Sequence, residues 1–380
     1  MRARAITSLA VLAGVLVPAL PGSAAAAPPL LVGLQDDRMA HVGTDPTVSM
    51  ARIRGFNARI VRVDLRWDLV ATRKPANPTN PKDPAYDWRQ YDRVVAAARR
   101  MKLRPLMAIW GTPAWAADPT VASSRYYPDS ARRPRRPADA GAFATAAARR
   151  YARRGVRLWE MWNEPNLPLF LRPQYRRVRG RWIPESPRTY TAISRAMFRG
   201  IKRVDRRATI SGAVTGPIGD RSPQSCPYQP DCRMTPTSFV LNLNRRALRP
   251  PMDAVSHHPY PIRRPARTTP PGRGYVDLYN FGELTRTINR TYLRRKPIWL
   301  TEFGFATRRT SQYPFHVSEA DQARYLADAF RRVRRIPRVR MFVWYLLQDH
   351  PDWASGLLDE RARAKPAAGV FARWARAVQP

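Results

Sequence analysis

The sequence predicts a single (β/α)8 TIM barrel, an α/β fold with long loops at the C-terminal face of its strands. Three observations predict it. Apolar runs of strand length alternate with helical stripes eight times over about 350 residues, within the range of such barrels. The segments that follow the strands are longer than those that precede them, at 115–137, 166–185, 216–237 and 261–280. Barrels of this kind build their sites there. Two of the apolar runs end in a Glu. A carboxylate seldom finishes a buried strand without a task, because removing its charge from water is costly. A doubly wound open sheet is the competing arrangement. It would carry a Gly-rich turn after its first strand, and Gly33 alone does not make one.

The elements follow in order. Leu30 to Leu34 is a first apolar strand, and a helix from about Pro46 to Arg54 is stopped by Gly55. Ile60 to Leu65 is the second strand. Tyr91, Val94, Val95 and Ala98 stripe a helix capped by Asp87. Pro105 to Trp110 is the third strand, and Ala138 to Arg154 its helix. Val156 to Trp162 is the fourth. Ser186 and Pro187 open a helix along which Tyr190, Ile193, Met197, Ile201 and Val204 recur. Ala208 to Val214 is the fifth strand, followed by a helix near Ser238 to Arg246. Met252 to His257 is the sixth, with Leu284 to Leu293 helical after it. Pro297 to Glu302 is the seventh, and Ser318 caps an amphipathic helix through Tyr325, Leu326 and Phe330. Val339 to Leu347 is the eighth strand, and Ala367 to Val378 a final helix.

A hydrophobic fraction of 44% can supply the core of one such domain. Residues 1–26 read as an export signal, leaving 27–380 as the barrel. Arg2 and Arg4 form a basic start, Ala5 to Leu20 is apolar, and Ser23 to Ala27 offers small residues for cleavage near Ala26. A secreted protein is expected. Beyond this segment no run of 18 apolar residues occurs, so no transmembrane segment is expected. The two cysteines, Cys226 and Cys232, lie close together, and in an exported chain they read as one disulfide pinning a loop. A metal site is the weaker reading, since two thiolates do not complete one.

The formal charge of +39 comes mostly from Arg, as in Arg132-Arg133-Pro134-Arg135-Arg136 and in Arg176, Arg177, Arg179 and Arg181. Specific nucleic-acid binding is not expected, because the chain reads as exported and no DNA- or RNA-binding pattern is visible. Two readings remain. The charge forms solvated basic faces, or it attracts an acidic polymer such as an anionic or cell-envelope polysaccharide.

The two carboxylates define the chemistry. One run is Leu158-Trp159-Glu160-Met161-Trp162-Asn163-Glu164-Pro165-Asn166, and the other is Ile298-Trp299-Leu300-Thr301-Glu302-Phe303-Gly304-Phe305. Two such residues far apart in sequence meet only if both strand ends open onto one face of one barrel. Glycoside hydrolysis needs that arrangement, with one carboxyl as acid and the other as nucleophile or base.

At these residues the chain resembles the retaining glycoside hydrolases of clan A. It looks most like family 39 and related bacterial polysaccharide hydrolases, with family 5 next. Trp159 to Asn166 carries most of the resemblance. Gly111 to Ala116, Ser318 to Leu326, Gly356 to Leu358 and Lys365 to Ala367 add to it. The resemblance implies Glu164 as acid/base and Glu302 as nucleophile. It further implies that Asn163 holds the sugar 2-hydroxyl, and that Tyr260, in a His-x-Tyr motif begun by His258, hydrogen-bonds the nucleophile. Trp344 would be the platform under the sugar, and Arg62 would support the ionised nucleophile. Glu164 would start protonated, favoured by burial and the neighbouring charge. A poly- or oligosaccharide substrate, a monomer, no cofactor and no metal are expected. A non-catalytic carbohydrate- or polyanion-binding protein on the same barrel is the alternative.

Other residues carry weaker signals. Glu160 reads as the partner of a buried Arg, and Trp159 and Trp162 as barrel packing. Trp110, Trp115 and Trp67 could line the cleft or pack, and Trp110 is taken as a substrate contact. His257 reads equally as a core hydrogen-bonder or a substrate contact. Asp349 and His350 are either contacts or turn-makers, and His41 and His316 receive no role.

Overall fold

The computed structural model describes residues 29–220, 224, 226–265, 274–310 and 315–379. The export segment expected over 1–26 lies outside them. The alternation in Ile60-Val61-Arg62-Val63-Asp64-Leu65 becomes the strand β2 (Ile60–Arg66), which pairs in parallel with β1 (Leu31–Gln35) and β3 (Arg104–Trp110). The chain continues through β4 (Leu158–Met161), the hairpin β5 (Tyr175–Val178) and β6 (Arg181–Pro184), β7 (Thr209–Thr215), β8 (Ala254–His257), β9 (Ile298–Leu300) and β10 (Val339–Tyr345). All of these except β5 and β6 close into one parallel barrel, ordered β1-β10-β9-β8-β7-β4-β3-β2. Helices connect its strands, as the (β/α)8 reading expects.

The helices are α1 (Pro46–Gly55), α2 (Trp67–Val70), α3 (Arg89–Arg100), α4 (Pro137–Tyr151), α5 (Ser186–Val204), α6 (Pro236–Leu243), α7 (Gly282–Asn289), α8 (Glu319–Arg334) and α9 (Pro366–Val378). Their starts follow the sequence signals. The Asp45 side chain accepts from the Thr47 N–H ahead of Pro46, and Ser318 Oγ accepts from the Asp321 N–H. Asp87 accepts from the Arg89 N–H one residue earlier than the cap position, which Trp88 occupies. Among the described residues no helix is long and apolar enough to cross a membrane.

Strand alternation divides the interior into two zones. Ile60, Leu106, Leu158, Ala254, Trp299, Met341 and Val343 form one cluster that plugs the barrel near the strand N-termini. Residues of opposite parity, such as Val61, Val63 and Leu65, join the larger core between sheet and helices. Above the apolar plug the inward positions turn polar, with Gln35, Arg62, Glu160, Ser211 and Ser256 all buried. The polar layer leads to the strand C-terminal ends.

Strands β4 and β9 are shorter than their apolar runs. The backbone leaves the ladder at Trp162 (φ 70°) and Glu164 (φ 35°), both in the left-handed region that L-residues seldom occupy. The β5–β6 hairpin was not foreseen. It lies inside the long connection expected at 166–185 and is tied to the loop beyond β7 by two hydrogen bonds between Trp182 and Gln224. That loop carries the Cys226–Cys232 disulfide.

Candidate active site

The site is assembled from strand ends, each contributing an inward residue. From β2 comes Arg62, fully buried, whose guanidinium meets several partners at once. Its Nε donates to Glu160 Oε1 at 2.9 Å, and its Nη2 donates to Asn163 Oδ1 at 2.9 Å. Its Nη1 donates to Gln35 Oε1 at 2.6 Å and pairs with Asp64 at 3.0 Å and Glu302 Oε1 at 2.7 Å. Glu160 therefore has the structural part expected of it. Burial opposes its charge, yet Arg62 and His258 hold its carboxyl below the usual range.

At the end of β4, the two left-handed residues redirect the chain so that Asn163 and Glu164 both turn toward the barrel axis. Asn163 Oδ1 is held by Arg62, and Asn163 lines the cleft. The Glu164 carboxyl lies against Gly216, where an added Cβ would stand 2.8 Å from Glu164 Cδ. Only a glycine there leaves room for it. Asn166 staples this turn to the next loop, donating to Met234 O at 2.9 Å and accepting from the Gly216 N–H at 2.8 Å.

Strands β8 and β9 bring the rest. His258 Nδ1 lies 2.8 Å from Glu164 Oε1 and 3.6 Å from Glu302 Oε2, and its Nε2 faces Thr301 Oγ1 at 3.1 Å. Burial alone would lower its pKa, but Glu302 and Glu164 outweigh this and raise it. The Tyr260 hydroxyl donates to Glu302 Oε2 at 2.8 Å. A carboxylate oxygen of Glu164, one of Glu302 and a ring nitrogen of His258 all lie within 4.8 Å of one another. As a cation site this set fits poorly. Both ring nitrogens of His258 are engaged, and Glu302 already faces the guanidinium of Arg62 and the donor of Tyr260.

Arg62 favours the ionised form of Glu302 as expected, but other effects outweigh it. Burial comes first and pushes the carboxyl up to about 7, aided by the charges of Glu164 and Asp64 and opposed by His258 and Arg62. One guanidinium shared among Glu160, Asp64 and Glu302 does not offset the loss of water.

Trp344 requires a correction. It is fully buried, stands 6.0 Å from Phe303 ring to ring, and donates from Nε1 to Ser355 O at 2.9 Å. Alternation explains this. Met341 and Val343 point into the barrel, so Trp344 points to the helix layer and Tyr345 points inward. Tyr345 lines the cleft, and its hydroxyl donates to Asp37 Oδ2 at 2.7 Å. Asp37 also accepts from Gln35 Nε2 at 2.6 Å, and burial together with Asp64 pushes its carboxyl up to about 6. Asp37, Asp64 and Tyr345 are thus site residues that the sequence motifs do not reveal. The signal was present in the two-residue spacing from Gln35, Arg62 and Val343.

The cleft has a volume of about 410 Å³ and is walled by Trp110, Asn163, Phe170, Glu302, Tyr345 and Asp64. Trp110 lines it, with the Arg66 guanidinium 4.1 Å over its ring. Trp67, Trp159 and Trp162 are fully buried packing residues, and Trp115 is tied to Ala71 O through its Nε1. His257 is a core residue bonded to Thr215 and Val276 O, with its pKa lowered by burial to about 3. Asp349 pairs with Lys365 at 2.7 Å and accepts from the Gly356 N–H, a turn-making role. His350 and His41 line a side branch of the cleft beside Asp37 and Trp353.

No family model matches this sequence, and no curated protein matches it. Solved structures do. A family 39 glycoside hydrolase from Bacteroides cellulosilyticus superposes with a TM-score of 0.62 at 21% identity, over 91% of this chain and 63% of that one. A glucosidase from Croceicoccus marinus gives 0.64 at 15% identity, over 92% and 68%. A GH5_18 protein from Streptomyces cattleya gives 0.60 at 14%, over 92% and 80%. The chain spans less than two thirds of the length of the first of these. The likeness shows a shared barrel, and the two families are those the sequence resembles.

Proposed function

We propose that the chain is a retaining glycoside hydrolase acting on a poly- or oligosaccharide, with Glu302 as nucleophile and Glu164 as acid/base. The observation that carries the reading is the approach of Glu164, His258 and Glu302 within 4.8 Å. Nearest carboxylate oxygens this close support the short carboxyl spacing, roughly 5–5.5 Å, that double displacement uses. Fold likeness to glycoside hydrolases supports it.

In the first step Glu302 attacks the anomeric carbon while Glu164 gives its proton to the leaving oxygen. Tyr260 and Arg62 hold the attacking carboxylate in place. Esterification removes the charge of Glu302, and Glu164 then takes a proton from water as the glycosyl ester is cleaved. Asn163 offers its amide donor to a hydroxyl of the bound sugar. Tyr345 and Trp110 provide apolar walls that keep water out.

The acidic-glycan expectation is not carried to the sugar beside Glu302. Asp37, Asp64 and Glu302 face that space, Arg62 is buried beneath it, and Arg66 is bound to Asp68. A uronate there would meet like charge, so we assign a neutral sugar to this position. The formed Cys226–Cys232 disulfide supports export, and the enzyme is taken to act as a monomer. The test is the stereochemistry of turnover. Proton NMR of the product first formed from an aryl glycoside panel should show retained anomeric configuration, and inversion would remove Glu302 as nucleophile.

A further inference from the structure

A second cavity of about 800 Å³ adjoins the catalytic cleft at the strand C-terminal face. Tyr126, Tyr127 and Tyr228 line it together with Leu167 and Leu169. Tyr126 is 67% exposed and Tyr228 66%, unusual for rings with no partner molecule to cover them. The groove neighbours the cleft, and Leu169 lines both.

Its position relative to the carboxylates is informative. The Leu167 N–H donates to Glu164 O at 2.9 Å, and the Leu167 side chain shares the contact with Gly216 that Glu164 makes. The groove therefore begins on the Glu164 side, while Asn163 and Glu302 face the other cavity. A general acid protonates the departing oxygen, so the space reached past Glu164 receives the leaving group.

The groove offers little free charge. Asp231 is paired with Arg172 at 2.7 Å and Asp220 with Arg233 at 2.8 Å. What it offers is aromatic surface that is held in place. The disulfide brackets Tyr228, the Tyr175 N–H donates to Pro230 O at 2.9 Å, and Trp182 and Gln224 join the same loop to the hairpin. Arg125 stacks on Tyr126 with its guanidinium carbon 4.7 Å from the ring centre. Rings fixed before binding lose little entropy when a flat sugar face covers them.

We propose that this groove binds the leaving-group side of a neutral, extended glycan chain, with Tyr126 and Tyr228 as stacking platforms. The proposal rests on the assignment of Glu164 as the acid, and it makes the preferred substrate a chain with several sugars on the leaving-group side of the cleaved bond. Equatorially linked sugars present such flat C–H faces, so the probes are β-1,4-linked hexasaccharides of glucose, xylose and mannose. Aryl glycosides, whose leaving group is one small ring, serve as reference.

The Tyr126→Ala, Tyr228→Ala double variant should lower kcat/KM on a cleaved hexasaccharide about tenfold, as expected for two lost aromatic contacts. Its turnover of aryl glycosides should stay within twofold of the parent. Equal loss on both substrates, or no loss on the hexasaccharide, overturns the proposal. Calorimetry supplies a readout independent of turnover. A hexasaccharide should bind the Glu164→Gln protein, and the two Tyr substitutions in that background should weaken binding by a similar factor. Aryl glycoside hydrolysis without any hexasaccharide binding overturns the groove and leaves the glycosidase reading standing. Hexasaccharide binding that needs both tyrosines, without turnover of any glycoside, supports the groove and contradicts the glycosidase reading.

Discussion

Arg62 and Glu302 meet at 2.7 Å, yet the carboxyl is pushed up to about 7, because burial outweighs a guanidinium that Glu160 and Asp64 also draw upon. The sign of the consequence is fixed. A nucleophile must be ionised, and a raised pKa means that the ionised form prevails only above about 7. The kcat/KM of the free enzyme should therefore fall as pH drops through about 7. A profile flat down to pH 5 would contradict this placement of the charge.

Tyr260 should sharpen that dependence. Its hydroxyl donates to Glu302 and favours the carboxylate. Tyr260→Phe should move the acid limb of the pH profile upward and lower kcat/KM by about 10- to 100-fold, the range of a lost hydrogen bond to a charged group. A loss with an unmoved limb would make Tyr260 a packing residue.

Glu164 and its neighbour His258 make a different prediction. Glu164→Ala should slow substrates with poor leaving groups by several orders of magnitude while sparing the first step for dinitrophenyl glycosides, which leave without a proton. A Brønsted plot against leaving-group pKa reads the difference. Equal loss across the series would deny Glu164 the acid role.

Trp344 and Tyr345 should separate stability from turnover. Trp344 is packed beneath the helices, so Trp344→Phe should lower thermal stability and leave kcat nearly unchanged. Tyr345→Ala removes a cleft wall and the donor to Asp37, so it should lower kcat/KM at least tenfold with a smaller change in melting temperature. The opposite pattern would return the platform role to Trp344.

The barrel was legible because its alternation is clear in runs such as Ile60 to Leu65 and its helix starts are marked at Pro46 and Ser318. The carboxylates were legible because a Glu at the end of an apolar run is costly to bury unless its charge has a chemical use. The pairing of Glu160 with Arg62 follows from strand parity. The same parity applied to Met341 and Val343 would have selected Tyr345 over Trp344. Motif likeness drew attention to the tryptophan instead. Asp37 escaped notice because it keeps the two-residue spacing from Gln35 but lies beyond the strand, in the 3-10 turn after β1. The hairpin at 175–184 was obscured by its arginines, which mask the strand pattern. The elevated pKa of Glu302 depends on how many carboxylates share one guanidinium, a property of three dimensions only.

Azide rescue tests the central claim most directly. Glu302→Gly should abolish hydrolysis of an activated aryl glycoside, and added azide should restore turnover with a glycosyl azide of inverted configuration as product. Unchanged hydrolysis by that variant, or a rescued product of retained configuration, would contradict the assignment.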